Sequence, residues 1–236
     1  SAAEIANGSV TLTLITAGLG NCVAVTDPMT MNFTAAPVVN AGAPVSLCAN
    51  NAQVSLSGSV TGATGGVWSG GTGTYSPNNS TLTATYTPTA GEIAGGTLTL
   101  TLTSTGNGTC NPVQSSRVIN FTPAPSVNAG PNGTVCANSS AITLAGSQSG
   151  ATGAVWSGGT GTYNPNNATL NAVYTPSAAE RTAGTVTLTL TTVGNGNCNA
   201  VSDQVTYSFT PSPTANAGPD QSRCANNAVA TLTGSV

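Results

Sequence analysis

Thr97-Leu98-Thr99-Leu100-Thr101-Leu102-Thr103 alternates polar and apolar without a break, and Thr185-Val186-Thr187-Leu188-Thr189-Leu190-Thr191 repeats the pattern further along. A period of two sends the aliphatic residues to a buried face and the threonines to water. Threonine suits such a strand, because its β-branch favours extended backbone while its hydroxyl stays solvated. Read through one stretch, the pattern predicts strands near 38–47, 53–60, 66–69, 72–76, 81–87, 96–105 and 114–122. Gly, Asn and Pro clusters separate them: Gly62-Ala63-Thr64-Gly65-Gly66, Pro77-Asn78-Asn79 and Gly106-Asn107-Gly108. One helical signal interrupts the strands. Pro88-Thr89-Ala90-Gly91-Glu92 and Pro176-Ser177-Ala178-Ala179-Glu180 carry capping-box spacing, enough for a single turn.

These signals recur every 88 residues, and the signature VWSGGTGTY at Val67–Tyr75 returns unchanged at Val155–Tyr163. The chain therefore divides into a partial repeat (1–36), two full repeats (37–124 and 125–212) and a second partial repeat (213–236). Since both ends fall within a unit, a longer array is expected, and repeats of this size serve reach and stiffness. Seven short strands per unit, with one Trp on the third, predict an all-β fold. Its form is a tandem array of immunoglobulin-like (PKD-like) seven-stranded β-sandwiches, extended end to end. Trp68 and Trp156 are the expected core centres, with Tyr86 and Tyr174 packed nearby. An exposed Trp would instead offer a sugar-stacking platform, but the flanking Val and Gly favour an inward-facing strand.

Charge is nearly absent: three Arg (117, 181 and 223), six carboxylates, no Lys and no His. Nucleic-acid binding needs several cationic phosphate contacts and is excluded, as is a basic membrane patch. No apolar run approaches the roughly 18 residues that span a bilayer, so no membrane insertion is expected in this segment. Few charges also leave self-association unopposed, tolerable in a fibre.

Serine or cysteine nucleophiles lack their usual base here. Glu4, Glu92 and Glu180 share one repeat position, so each copy holds a single carboxylate there. Asp27 and Asp203 share another, with no carboxylate in the middle copy. Asp220 gives way to Pro44 and Asn132, which argues against a calcium cluster. Gly70, Gly71 and Gly73 lack the Lys and helix of a phosphate loop and read as a turn. No enzyme activity, cofactor or metal site is expected. Sequons at Asn79, Asn107 and Asn120 are weak glycosylation signals in so Asn- and Thr-rich a chain. The outward threonine ladders resemble ice-binding faces, although ordinary solvated strands account for them.

Six cysteines at 22, 48, 110, 136, 198 and 224 alternate in spacing between 26 and 62 residues. Even number and strict spacing point to disulfides in an oxidising, extracellular setting, and close ligand pairs for zinc are lacking. A 62-residue spacing resembles the usual inter-sheet bridge of a sandwich. Yet Cys48 precedes the second strand and Cys110 follows the sixth, at opposite ends of the domain. The register favours an inter-repeat pair, Cys48–Cys198, lacing one domain to the next. Cys22 and Cys224 would then find partners beyond this segment. The alternative pairs Cys48 with Cys110 and Cys136 with Cys198, each closing a loop worth roughly 4 kcal/mol.

Ala215-Asn216-Ala217-Gly218-Pro219-Asp220-Gln221 before Cys224, the Trp strand and Gly106-Asn107-Gly108-Thr109-Cys110 together resemble a known repeat type. They are similar to the PKD-like and immunoglobulin-like repeats of giant cell-surface adhesins of Bacteroidota, the SprB-type gliding adhesins among them. The resemblance covers the whole chain but departs from the family turn everywhere except Pro219-Asp220. It implies an exported surface or filament protein, a type IX secretion substrate, with no catalytic residue to carry over. The expected function is a structural stalk or filament segment of an adhesin, contacting neighbouring repeats and open to lateral or homopolymeric association. The alternative is a multivalent carbohydrate-binding module directed at surface glycans.

Overall fold

The computed structural model describes residues 1–17, 20–138 and 141–236. They fall into two compact units, Ser1–Pro123 and Ala124–Val236. The first runs α1 (Ala2–Ala6), β1 (Ser9–Ile15), β2 (Thr26–Asn32), β3 (Val38–Asn40), β4 (Val45–Cys48), β5 (Val54–Ser55), β6 (Ser59–Thr61) and β7 (Gly65–Ser69). It continues through β8 (Thr74–Ser76), β9 (Thr85–Thr87), α2 (Ala90–Ala94), β10 (Thr97–Thr105) and β11 (Gln114–Thr122). The second runs β12 (Ser126–Asn128), β13 (Gly133–Cys136), β14 (Ile142–Thr143), β15 (Ser147–Ser149), β16 (Gly153–Ser157) and β17 (Thr162–Asn164). It ends with β18 (Val173–Thr175), α3 (Ala178–Ala183), β19 (Thr185–Val193) and β20 (Ser202–Thr210).

Each unit holds one complete immunoglobulin-like sandwich. In the first, a four-stranded sheet of order β4-β11-β10-β7 faces the shorter sheets β5-β9-β8 and β3-β6. In the second, β13-β20-β19-β16 faces β14-β18-β17 and β12-β15. The long hairpins explain why these faces form. Leu98, Leu100 and Leu102 are buried on β10 while Thr97 and Thr99 stay exposed, and β19 repeats the alternation. Trp68 and Trp156 are fully buried at the centres of the two cores.

The expected strand at 38–47 is in fact two strands in different layers. Gly42 takes a positive φ of 86° and donates its N–H to Asn40 Oδ1 at 2.8 Å, turning the chain. Thus β3 pairs with β6, and β4 crosses over to run parallel to β11. Gly130 and Asn128 make the same turn in the second unit. The expected strand at 53–60 likewise divides into β5 and β6, with Gly58 between them. A Cβ on Gly58 would lie 2.8 Å from the Trp68 ring, so glycine leaves the indole its space. Of the expected strand at 81–87, only β9 forms, because Thr81 and Ala84 close turns with Asn78 and Thr81.

The hairpin β1–β2 pairs in the register of β10–β11, with Leu12 opposite Met29 as Leu100 is opposite Arg117. Leu12, Leu14, Ile15, Met29 and Met31 are exposed on it. In residues 213–236 the described β-structure consists of the bridges Asn216–Ser235 and Cys224–Asn227.

Candidate functional site: signature loop and cysteine-bearing poles

The signature loop closes around an acid that is half-buried in the first unit and buried in the second. After β7, Gly71 adopts a φ of 73°, and a Cβ there would overlap the Tyr86 hydroxyl. A Cβ on Gly73 would overlap the Thr87 carbonyl. The glycines thereby let the loop fold onto Tyr86, whose hydroxyl donates to Glu92 Oε1 at 2.7 Å and accepts from Gly73 N–H at 2.7 Å. Thr72 N–H donates to the same Glu92 oxygen at 2.6 Å. Glu92 Oε2 takes the Thr89 N–H at 2.7 Å, and Thr89 caps α2 in return. In the second unit Tyr174, Thr160, Ser177 and Glu180 make the same set.

Burial by itself pushes the Glu92 carboxyl up. The hydrogen bonds from Thr89 N–H, Tyr86, Thr72 N–H and the Thr89 hydroxyl outweigh it and hold the group below its ordinary value. Glu180 is lowered in the same way, its hydrogen bonds from Tyr174, Thr160 and Ser177 overcoming burial. Burial pushes the Tyr86 hydroxyl up to about 12, aided by its bond to Glu92 and opposed by Gly73 N–H. Tyr174 is raised for the same reasons. Each carboxylate is thus saturated with donors and, among the described residues, has no second acid or base beside it. The arrangement is a latch that holds the signature loop against the strand and the helix cap. Sequence reasoning saw the glycines as a turn and the glutamates as caps, and missed that one Tyr hydroxyl joins them. The signal was available: Gly71, Gly73, Tyr86 and Glu92 all recur at the repeat spacing.

Trp68 Nε1–H donates to Leu82 O at 3.1 Å, and Trp156 Nε1–H to Leu170 O at 3.1 Å. Neither ring meets solvent, so neither can stack on a sugar.

The cysteines occupy opposite poles of each sandwich. Cys48 ends β4, opposite Thr122 at the finish of β11. Cys110 lies before β11 begins, in a turn closed by its own N–H donating to Asn107 O at 3.0 Å. The nine residues of β11 separate the two positions by roughly 30 Å, against the 7 Å or so that a disulfide requires between Cα atoms. Cys136 and Cys198 stand in the same relation, opposite Thr210 and before Ser202. Neither intra-repeat pair, Cys48–Cys110 or Cys136–Cys198, is brought together. Cys22, Cys110, Cys136 and Cys224 carry free thiols, whereas Cys48 and Cys198 are disulfide-bonded.

Asp203 Oδ2 accepts the Ala129 N–H at 2.8 Å, and Ser115 Oγ accepts Ala41 N–H in the first unit, so this polar position fastens the crossing between layers. Arg117 braces the same region by donating to Ala43 O at 2.8 Å and Ser55 O at 3.0 Å. The cleft beside it, lined by Val45, Leu47, Val54 and Arg117, is about 290 Å³, at the floor of the size range for ligand pockets. Among the described residues, no group of three His, Cys, Asp or Glu could hold a metal ion. No helix among them is long and apolar enough to cross a membrane.

No known protein-family profile matches the chain, and no curated protein matches it in sequence. Among solved structures it is similar to protocadherin gamma B2 extracellular cadherin domains 3–6, with 14% identity and a TM-score of 0.37. That match covers 89% of this chain and 60% of the other, so the chain spans less than two thirds of that length. The mouse protocadherin-24 EC1–3 structure is similar at 12% identity and TM-score 0.35, over 88% of this chain and 81% of that one. Titin domains I67–I69 are similar at 13% identity and TM-score 0.39, over 75% and 66%. Domain by domain, the strand order given above defines the fold: tandem immunoglobulin-like β-sandwich repeats.

Proposed function

We propose that this chain is a structural stalk or filament segment of a large extracellular adhesin, in which successive repeats are laced by the disulfide Cys48–Cys198. The observation that carries this reading is the polar placement of the cysteines. Each full repeat presents one cysteine at the end of its β4-type strand and another at the opposite end of its sheet. The two disulfide-bonded residues, Cys48 and Cys198, belong one to each repeat, and the partners needed for intra-repeat bridges carry free thiols. Oxidised cysteine suits an oxidising, extracellular setting. The sequence motifs extend the reading to the giant gliding adhesins of Bacteroidota exported by type IX secretion. Among the described residues each latch carboxylate is spent on holding its own loop, which supports repeats that act by spacing and stiffening.

Non-reducing peptide mapping of the intact chain tests the lace. A single crosslinked peptide joining Cys48 to Cys198 is expected. Recovery of Cys48–Cys110 or Cys136–Cys198 would overturn it.

A further inference from the structure

We infer that Cys136 and Cys110 are open halves of further repeat-to-repeat disulfides, and that each closes only on a cysteine of the opposite kind from another repeat of this type. The inference rests on the proposed lace Cys48–Cys198 and deepens it, giving covalent linkage between repeats a seat and a direction.

The seat is the main-chain carbonyl two residues before the proline that opens a repeat, at Ala35, Pro123 and Pro211. Cys48 Sγ lies 3.8 Å from Pro123 O, and Cys136 Sγ lies 4.0 Å from Pro211 O. Each is held at its boundary by the residue that follows it. Ala49 N–H donates to Thr122 O at 2.9 Å, and Ala137 N–H donates to Thr210 O at 2.8 Å. Cys110 meets a boundary from the other side, its Sγ 3.7 Å from Ala35 O and 3.9 Å from Thr34 O. The cysteines therefore fall into two kinds. Exit cysteines (Cys48, Cys136 and, by repeat position, Cys224) belong to the boundary where the chain leaves their repeat. Entry cysteines (Cys110 and, by repeat position, Cys22 and Cys198) belong to the boundary where it arrives.

One carbonyl position thus receives an exit cysteine from the repeat before it and an entry cysteine from the repeat after it. Cys48 and Cys198 are one of each kind, and these two are disulfide-bonded. Cys136 at Pro211 and Cys110 at Ala35 occupy the same kind of seat with their thiols free. Cys48 is buried, whereas Cys136 and Cys110 are half-buried and open to a partner. Two cysteines of one kind share no seat, because each boundary has a single repeat on either side. Closure needs a small disulfide such as oxidised glutathione. One protein thiolate attacks it and releases a first glutathione, and the opposite thiolate then displaces the second. A protein S–S bond replaces the glutathione S–S bond, and the two protons end on the released thiols.

The test uses the 236-residue chain in two variants, with a second copy as the probe. Cys22→Ser with Cys110→Ser leaves only exit thiols free, and Cys136→Ser with Cys224→Ser leaves only entry thiols. Each is treated with oxidised glutathione, alone and mixed, and the products are separated without reduction. Each variant alone should stay monomeric. The mixture should hold at least tenfold more disulfide-linked dimer, with peptide maps joining Cys136 or Cys224 to Cys110 or Cys22. Blue-shifted Trp fluorescence in both variants checks that the cores are intact. No dimer in the mixture, or as much dimer from one variant alone, would overturn the inference; a Cys48–Cys198 peptide in those same samples would leave the proposed lace standing. Opposite-kind dimers from chains in which Cys48 is not joined to Cys198 would support the pairing rule and overturn the lace.

Discussion

Gly71 shows how much a single atom can decide in this fold. Its position in the signature is fixed by what lies opposite, the Tyr86 hydroxyl on its way to Glu92. Gly71→Ala adds a methyl where there is no space, at a backbone angle that L residues avoid, and should cost about 2–3 kcal/mol. The equivalent Gly159→Ala should cost the same in the second repeat, where its Cβ would overlap Tyr174. Urea titration followed by Trp fluorescence checks both, since each repeat has its own buried indole. A change below about 0.5 kcal/mol in either variant would mean that the loop is looser than described.

At the scale of the element, the latch ties α2, the signature loop and β9 into one unit whose strength depends on pH. Glu92 and Glu180 titrate below their ordinary value of 4.5 in the fold. Their contribution is therefore fully present above pH 4.5 and is lost as pH falls through the lowered values. Tyr86 titrates at about 12 in the fold against an ordinary 10.0, so its contribution is present below pH 10 and is lost as pH rises toward 12. Thermal midpoints should form a plateau between these limits and fall on both sides. Glu92→Gln with Glu180→Gln should flatten the acid limb, and an unchanged acid limb would remove the glutamates from that role. The same elements show what the chain reveals before it folds. The hairpin β10–β11 was legible because nine residues of alternation outweigh any local signal. The split of β3 from β4 was not, because Val38–Leu47 is apolar enough to read as one strand. Only the Asn40–Gly42 turn and competition between two layers for partners divide it. The latch was hidden for a related reason: it joins Gly71 to Tyr86 and Glu92 through space, and no local pattern encodes that closure.

Across the whole molecule, cysteine spacing says that pairs exist, and strand length says which pairs cannot. The crossing of β4 from one layer to the other adds a mechanical consequence. In the first full repeat β4 lies near the start of the domain and β11 at its end, and the two run parallel, Val45 beside Ile119 through Cys48 beside Thr122; β13 and β20 are paired the same way in the second. A pull on the two ends of such a domain drives these strands past each other, so their hydrogen bonds bear the load together and do not open one at a time. Stretching a single chain should give rupture peaks well above those of a domain whose terminal strands unzip. Ser46→Pro and Thr134→Pro, which disturb β4 and β13 in mid-strand, should lower those peaks in both repeats. Peaks of unchanged height would place the resistance elsewhere. If the chain serves as the proposed stalk, each repeat would take the load in shear and hold while its ends are pulled apart.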